Sequence, residues 1–410
     1  MPLDPGVNFD NTEKAFAYKS DRQLKKARFL FSAMQFTPLV KLGTLITPWA
    51  IKSGLPIKVL IKNTLFEQFV GGESLEKTDG VLDMLNKFKV DVILDYGVEG
   101  GEHSDAKYDQ EVKTFIEVLS FSASRKNIPF ISIKVTGLGS SQLLEKLNVT
   151  IGKAHTGDLT ADLIKVIEAL NQNDQTSWNK IIERTEAICS HAASIGVGVM
   201  IDAEESWIQD PIDYIAQLMM TKYNKEKVVV YNTIQLYRVD RLSFLQKSYA
   251  HAEGNSYLPG FKLVRGAYME KERKRALELG YPSPIQINKE ATDKDYNLAL
   301  ELAFQKINTG SLIVASHNEK SSLLATQLTL TAGIETKHNN LHFSQLYGMS
   351  DNLTFNLADA HFNVSKYLPF GPIEEVIPYL MRRAQENSSV SGQTSRELQL
   401  LKKECSRRGI

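Results

Sequence analysis

Cysteine is scarce: Cys189 and Cys405 are the only two in 410 residues. That excludes a disulfide framework and a thiolate metal cluster, and it fits a reducing compartment. Charge of either sign in excess is also missing, since Lys+Arg and Asp+Glu are both 48. A nucleic-acid partner held by phosphate neutralisation is therefore not expected. The opening stretch MPLDPGVNFDNTEKAF has early acids and no apolar core segment, so it reads neither as a secretory signal nor as an Arg-rich transit peptide. A cytoplasmic location is expected. The sequence has no GxxxxGK[ST] loop, no HExxH and no GxSxG. GLGSSQ (137–142) follows an apolar run and begins like a dinucleotide fingerprint, but Gln142 stands where the third glycine is needed. His338 and His342 are four apart, yet KHNNLHF crosses a turn into a strand, and no metal site is expected there.

Long uninterrupted apolar runs are absent as well. The most apolar region, residues 36–61, is broken by Lys41, Lys52, Lys58 and three prolines, so it is not a spanning helix. It reads either as a buried helical arm or as a basic apolar surface in peripheral contact with the inner face of a membrane.

What is present is a repeating unit. From about residue 88, short β-branched runs alternate with amphipathic helical stretches, which predicts βα units and a parallel sheet. The runs lie at 90–97, 129–137, 196–204, 227–238, 260–268, 310–318, 341–349 and 362–371. Eight is the number that closes a (βα)8 barrel. Residues 1–87 read as an N-terminal helical arm and 88–410 as the barrel. About sixty residues between the second and third runs leave room for a helical insertion.

Barrel chemistry sits where strands end. The strand ends carry Lys134, Asp202, Glu204, Gln235, Arg265, Tyr268, His317, Asn318, Tyr347 and Tyr367. Singly these are weak signals: Asp202 could cap a helix, and His317 could be a core histidine. Lys134 stands out, because a buried ammonium needs an anionic partner in the protein or in a ligand. Near the C-terminus, YLMRRAQEN places Tyr379, Arg382, Arg383 and Glu386 on one helix face within about 100° of arc. Alone, that face could be a solvated surface with an Arg382–Glu386 pair.

Four longer strings decide the reading. KLVRGAYMEKERKRALELGYPSPI (262–285), YLPFGPIEEVIPYLMRRAQENSSV (367–390), LYGMSDNL (346–353) and FVGGES (69–74) closely resemble proline dehydrogenase, in its single-function form. The resemblance runs from the arm to RELQLLKKE near the C-terminus. It implies a distorted (βα)8 barrel that binds FAD at its strand ends and oxidises L-proline to pyrroline-5-carboxylate. Hydride would pass to flavin N5 and electrons onward to a quinone. The implied substrate clamp is Arg382 and Arg383 on the proline carboxylate, with Lys134 as a third cation and Glu386 locking the arginines. Leu346, Tyr367, Tyr379 and Tyr268 are the implied walls over the ring. Asp202 resembles the family's acidic residue near the site, expected to orient Lys134 or an arginine. Gln235, Val264, Arg265, Gly266, Ala267, Ser316 and His317 match FAD-contacting positions, and Lys262 stands where relatives often carry an arginine. The alternatives are another flavin barrel, of folate-reductase type, and a non-catalytic flavoprotein that senses proline.

Overall fold

The computed structural model describes residues 6–36, 38, 40, 57–97, 104–154, 159–389 and 391–410. Eight parallel strands form a closed barrel in sequence order. They are β1 (Asp91–Tyr96), β2 (Phe130–Ile133), β3 (Gly198–Ile201), β4 (Val230–Gln235), β5 (Gly260–Val264), β6 (Ser311–Ala315), β7 (Leu341–Leu346) and β8 (Val364–Phe370). Each falls inside one of the eight runs read from the sequence, trimmed at the ends. The chain divides into two compact units, Met1–Val98 with His317–Leu323 and Phe343–Ile410, and Glu99–Ser316 with Leu324–His342.

The second of these units contains β2 to β6. Its strands are covered on both faces, which is why they read as continuous apolar runs rather than alternating ones; all six residues of β4 are buried. The ladder sets Ile201 against Asn232, Asn232 against Phe261 and Lys262 against Ile313. Among the described residues between β2 and β3 stand the α-helices Ser141–Ala154, Leu159–Glu168 and Gln172–Ile195, one crossover and the expected insertion. The Asn171 side chain accepts the Asp174 N–H at 2.9 Å to start the last of them, and Gly196 at φ 75° ends it.

The first unit holds β1, β8 and most of β7, with β1 paired to β8 from Asp91↔Ser365 to Tyr96↔Phe370. Its N-terminal helix Asp21–Met34 opens on a capping box, Ser20 with Gln23. Its C-terminal helices are Ile373–Ser389 and Ser391–Arg408. Phe16, Leu24, Phe31, Phe69, Val376, Leu380 and Leu401 share one core, so helices Asp21–Met34 and Ser391–Arg408 pack together. Polar contacts reinforce this: Arg408 donates to the carbonyls of Phe16 at 2.9 Å and Lys19 at 2.8 Å, and Arg396 pairs with Asp10. Sequence periodicity identifies each apolar helix face but not its partner almost four hundred residues away. FVGGES runs beside the end of β8, where Gly71 N–H donates to Pro369 O at 2.8 Å and Gly371 N–H to Gly72 O at 3.0 Å. A Cβ on Gly71 would lie 2.8 Å from Leu368, so only glycine permits that approach.

Lys41 and Lys52 of the candidate lipid surface lie outside the described residues. Lys58 is described and pairs with Glu374. Phe29, Phe36, Val59 and Leu60 are exposed on the same unit. Among the described residues, no helix is long and apolar enough to cross a membrane.

Candidate active site

In the unit carrying β2 to β6, the strand ends gather charge. Lys134 follows β2 directly in extended backbone, half-buried. Asp202 follows β3, its N–H donating to Ile133 O at 2.9 Å. Its carboxylate forms an ion pair with Lys262 of β5, and both side chains are largely buried. The sequence points to Asp202 orienting Lys134 or an arginine; the structure gives its carboxylate an ion pair with Lys262, which the sequence does not announce. Register explains it: Thr233 of β4 faces Lys262 on one side, and Asp202 extends β3 into that same layer. The pair also supplies a partner for Lys262. Glu204, two residues further on, is buried and accepts from Thr136 through its backbone N–H (3.1 Å) and its hydroxyl. Burial pushes its carboxyl up to about 7, against the opposing pull of Thr136 and the Lys134 ammonium.

Gln235 ends β4, and its Oε1 is buried with no partner. Arg265 follows β5. It donates to Asp293 at 2.7 Å and to the Ser316 hydroxyl at 2.8 Å, and its guanidinium lies 4.3 Å from the centroid of the Tyr296 ring. The Arg265 fork is thus fixed before any ligand arrives. Val264 and Tyr268 are half-buried, whereas Gly266 and Ala267 are exposed. Gly266 has φ +137°, and a Cβ there would lie 2.4 Å from the Tyr237 ring. An exposed backbone that cannot carry a side chain, beside a fixed arginine and an unpartnered Gln235 carbonyl, fits a phosphate-containing dinucleotide.

In the other unit, Leu346 ends β7, Tyr367 lies on β8, and the Tyr347 N–H donates to Tyr367 O at 2.9 Å. Both Leu346 and Tyr367 are half-buried. On helix Ile373–Ser389, Arg383 is buried, with its guanidinium 5.1 Å from the Tyr379 ring centroid. It donates to Glu386 at 2.6 Å. This i,i+3 pair stands beside the four-residue spacing of Arg382 and Glu386; both spacings bring side chains together on a helix. Burial raises the Glu386 carboxyl, opposed by Arg383 and Arg382. Arg382 and Glu386 are half-buried. Among the described residues of this helix, Arg383 Nε and the Tyr379 hydroxyl are buried without a hydrogen-bond partner. An aromatic wall beside a desolvated guanidinium with a spare donor is suited to a small carboxylate with an apolar ring.

His317 and Asn318 follow β6. His317 Nδ1 is 2.8 Å from the Ser350 hydroxyl, and Asn318 Oδ1 accepts the Ser321 N–H at 3.0 Å. His342 is buried edge-on to Phe130, with burial alone lowering its pKa to about 3, so it is neutral. Among the described residues no cluster of metal-ligating side chains is found.

Several charged residues escaped the sequence reading. Lys366 on β8 is fully buried, 2.8 Å from Asp351 and donating to Met349 O at 2.6 Å. Asp351 also accepts from the Tyr18 hydroxyl at 2.7 Å. Burial raises its carboxyl, but Lys366 and Lys19 more than offset this and hold it below the usual range. The only sequence signal was a lysine interrupting an apolar strand. Near this network a cavity of about 430 Å³ is lined by Tyr18, Lys19, Phe66, Gln68, Met84 and Tyr347 among others. None of the predicted clamp or cofactor residues lines it.

A closed parallel barrel with fixed charges and aromatic rings at its strand ends is an enzyme architecture. Residues 80–396 match the family described as proline dehydrogenase, and the chain belongs to that family. Proline dehydrogenase 1, mitochondrial, of Dictyostelium discoideum is 34% identical over 86% of this chain and 66% of its own length. Hydroxyproline dehydrogenase of Xenopus laevis is 30% identical over 96% of this chain and 88% of its own. Among solved structures, proline utilization A from Bdellovibrio bacteriovorus, inactivated by N-propargylglycine, superposes with a TM-score of 0.71 at 19% identity. That match covers 95% of this chain and 40% of the Bdellovibrio chain, so the present chain spans well under half of it.

Proposed function

We propose that this protein oxidises L-proline to pyrroline-5-carboxylate with FAD as cofactor and a quinone as the final acceptor. The observation that carries the reading is the buried Arg383, paired with Glu386 yet keeping Nε unspent beside the unpartnered Tyr379 hydroxyl. Arg382 and Arg383 bind the carboxylate, because two planar forks fix its orientation as well as its charge. Lys134 adds a third cation. Leu346, Tyr367, Tyr379 and Tyr268 enclose the ring and exclude water. Asp202 is a positioning residue that holds Lys262.

FAD is held by Gln235, Lys262, Val264, Arg265, Gly266, Ala267, Ser316 and His317. When bound, the flavin supplies a two-electron acceptor for a hydride from the ring carbon beside nitrogen. The substrate reacts as the free amine, its ammonium proton lost to solvent on entry; as that C–H pair leaves, the nitrogen lone pair closes the C=N bond, and the remaining N–H proton is given up to solvent on product release. The protein contributes alignment and dryness rather than a new reaction path. Residues 88–410 form the catalytic part in this reading. Residues 1–87 are an arm whose exposed Phe29, Phe36, Val59 and Leu60 support peripheral contact with a membrane where the quinone is dissolved. The location consistent with this is cytoplasmic, at the inner face of that membrane.

The test is direct. Purified protein should be yellow, and anaerobic L-proline should bleach it. Yellow protein that does not bleach would overturn the activity. The Xenopus relative's name makes 4-hydroxyproline the natural comparison substrate; a faster bleach with it than with L-proline would reassign the substrate.

A further inference from the structure

Helix Ser391–Arg408 carries the string RELQLLKKE, for which the proposed chemistry has no use. Its Glu397 is 5% exposed, a carboxylate inside the core. It accepts the backbone N–H of Ser350 and a second hydrogen bond from the Ser350 hydroxyl. Ser350 itself is in left-handed backbone, φ 51° and ψ 42°, which costs a non-glycine residue about 1 kcal/mol and is maintained by its surroundings. The same hydroxyl lies 2.8 Å from His317 Nδ1. One turn of the helix also braces the far side of that loop: Arg396 donates to Glu319 at 2.7 Å, and Glu319 accepts from Asn352 at 2.9 Å.

The direction of these bonds follows from donor counting. An ionised carboxylate only accepts, and a serine hydroxyl has one proton to give. If Ser350 gives it to Glu397, its oxygen accepts from His317, so Nδ1 carries the proton and Nε2 of the neutral ring presents a lone pair. A protonated Glu397 can instead donate to the Ser350 oxygen. The serine proton then turns to Nδ1, and Nε2 carries the hydrogen.

We propose that Glu397 is a positioning residue acting through Ser350 to set the tautomer of His317, and that its protonation exchanges an acceptor for a donor at Nε2. The assignment of His317 to the cofactor rests on the proposed function; the relay itself does not. Glu397 is poised for this role. Burial and the Asp351 charge push its carboxyl up to about 7, while the Ser350 bonds and Lys366 pull the other way. Lys19 stands 3.8 Å from Asp351, the Tyr18 hydroxyl also lies on Asp351, and both face Glu397; Tyr347 lies in the same Asp351 network. A buried carboxylate among two lysines and a second carboxylate is a group whose charge the fold has tuned.

The experiment is ¹⁵N–¹H correlation of histidine ring nitrogens in the full chain as purified, labelled at its 8 histidines, between pH 5.5 and 8.5. His317 is assigned by its loss in His317→Asn. The parent should show Nδ1–H at high pH, with Nε2–H gaining as pH falls through the neutral range. Glu397→Gln should remove that step and leave a single tautomer pattern. Ser350→Gly, which keeps the left-handed backbone, should uncouple His317 from Glu397 and likewise abolish the step. A parent His317 that merely gains a second proton, with the same midpoint in Glu397→Gln, overturns the relay. The readout needs no turnover, so a protein that fails to bleach with proline yet shows the step would refute the activity and leave the relay standing.

Discussion

Lys262 on β5 and Asp202 at the end of β3 form an ion pair that spans the width of β4 inside the barrel wall. Removing either charge strands the other in low dielectric, which typically costs about 3–5 kcal/mol. Lys262→Met and Asp202→Ala should each lower the unfolding midpoint clearly, and both should purify with less flavin. Lys262→Arg should keep most of the stability. The double variant Lys262→Met/Asp202→Ala should lose less than the two single losses added. Thermal unfolding across this set checks the pairing, and strict additivity would refute it.

Arg382→Met and Arg383→Met should each raise the proline concentration for half-maximal rate at least tenfold, with flavin content unchanged. Truncating one partner of a desolvated charge pair costs about 2–5 kcal/mol. Arg383 should be the more damaging, since it is buried and its removal also breaks its ion pair with Glu386. Near-normal proline affinity in either variant removes that arginine from the clamp.

Tyr367→Ser should shift the ratio of activities toward 4-hydroxyproline over proline. The substitution puts space and a hydroxyl where an aromatic ring stood, and a site that can hydrogen-bond a substrate hydroxyl discriminates by it. An unchanged ratio, measured on purified protein, would mean that Tyr367 does not touch the ring.

Glu204 makes stability depend on pH in an unusual direction. Its carboxyl titrates at about 7 in the folded protein against 4.5 for the ordinary value. Between those two values the folded state holds a proton that the unfolded state has lost. Its contribution is therefore complete below about 4.5 and lost as pH rises through about 7, amounting to roughly 3 kcal/mol. Glu397 titrates in the same range and adds in the same direction, so the informative quantity is a difference between proteins. Glu204→Gln should gain on the parent as pH increases from 5 to about 8 in calorimetric unfolding. A constant offset between the two would show that Glu204 does not titrate in this window.

Sequence legibility followed range of interaction. The eight strands were readable because strands covered on both faces are continuous apolar runs bounded by glycine and polar residues, a purely local pattern. The face carrying Tyr379, Arg382, Arg383 and Glu386 was readable for the same reason, since helix spacing alone brings them together. The partner of Asp202 was not, because Lys262 is sixty residues away and only strand register aligns them. That Arg383 is the arginine buried beside Glu386 was not readable either, because spacings of three and four look alike in sequence. Glu397 and Lys366 were invisible for a further reason: a charged residue in a helix or strand usually signals solvent, and here it signals a buried network.

Membrane contact by the arm has its own test. Lys41/Lys52/Lys58→Glu protein should sediment less with anionic vesicles at low salt than the parent does, and the difference should fade as salt rises. Each lysine near an anionic surface contributes about 1 kcal/mol. Equal sedimentation, with normal activity toward a soluble dye, would assign those residues to packing alone.

The packing of helix Asp21–Met34 against helix Ser391–Arg408 also dictates a timetable. Arg408 holds carbonyls of Phe16 and Lys19, and the buried face of the early helix, Leu24, Ala27 and Phe31, shares its core with Leu398 and Leu401. At a synthesis rate of about 5–20 residues per second, that apolar face waits on the order of 20–80 s for its partner to be made. The early helix is made well before the partner that buries it, and until then it depends on whatever shields nascent chains in the cell.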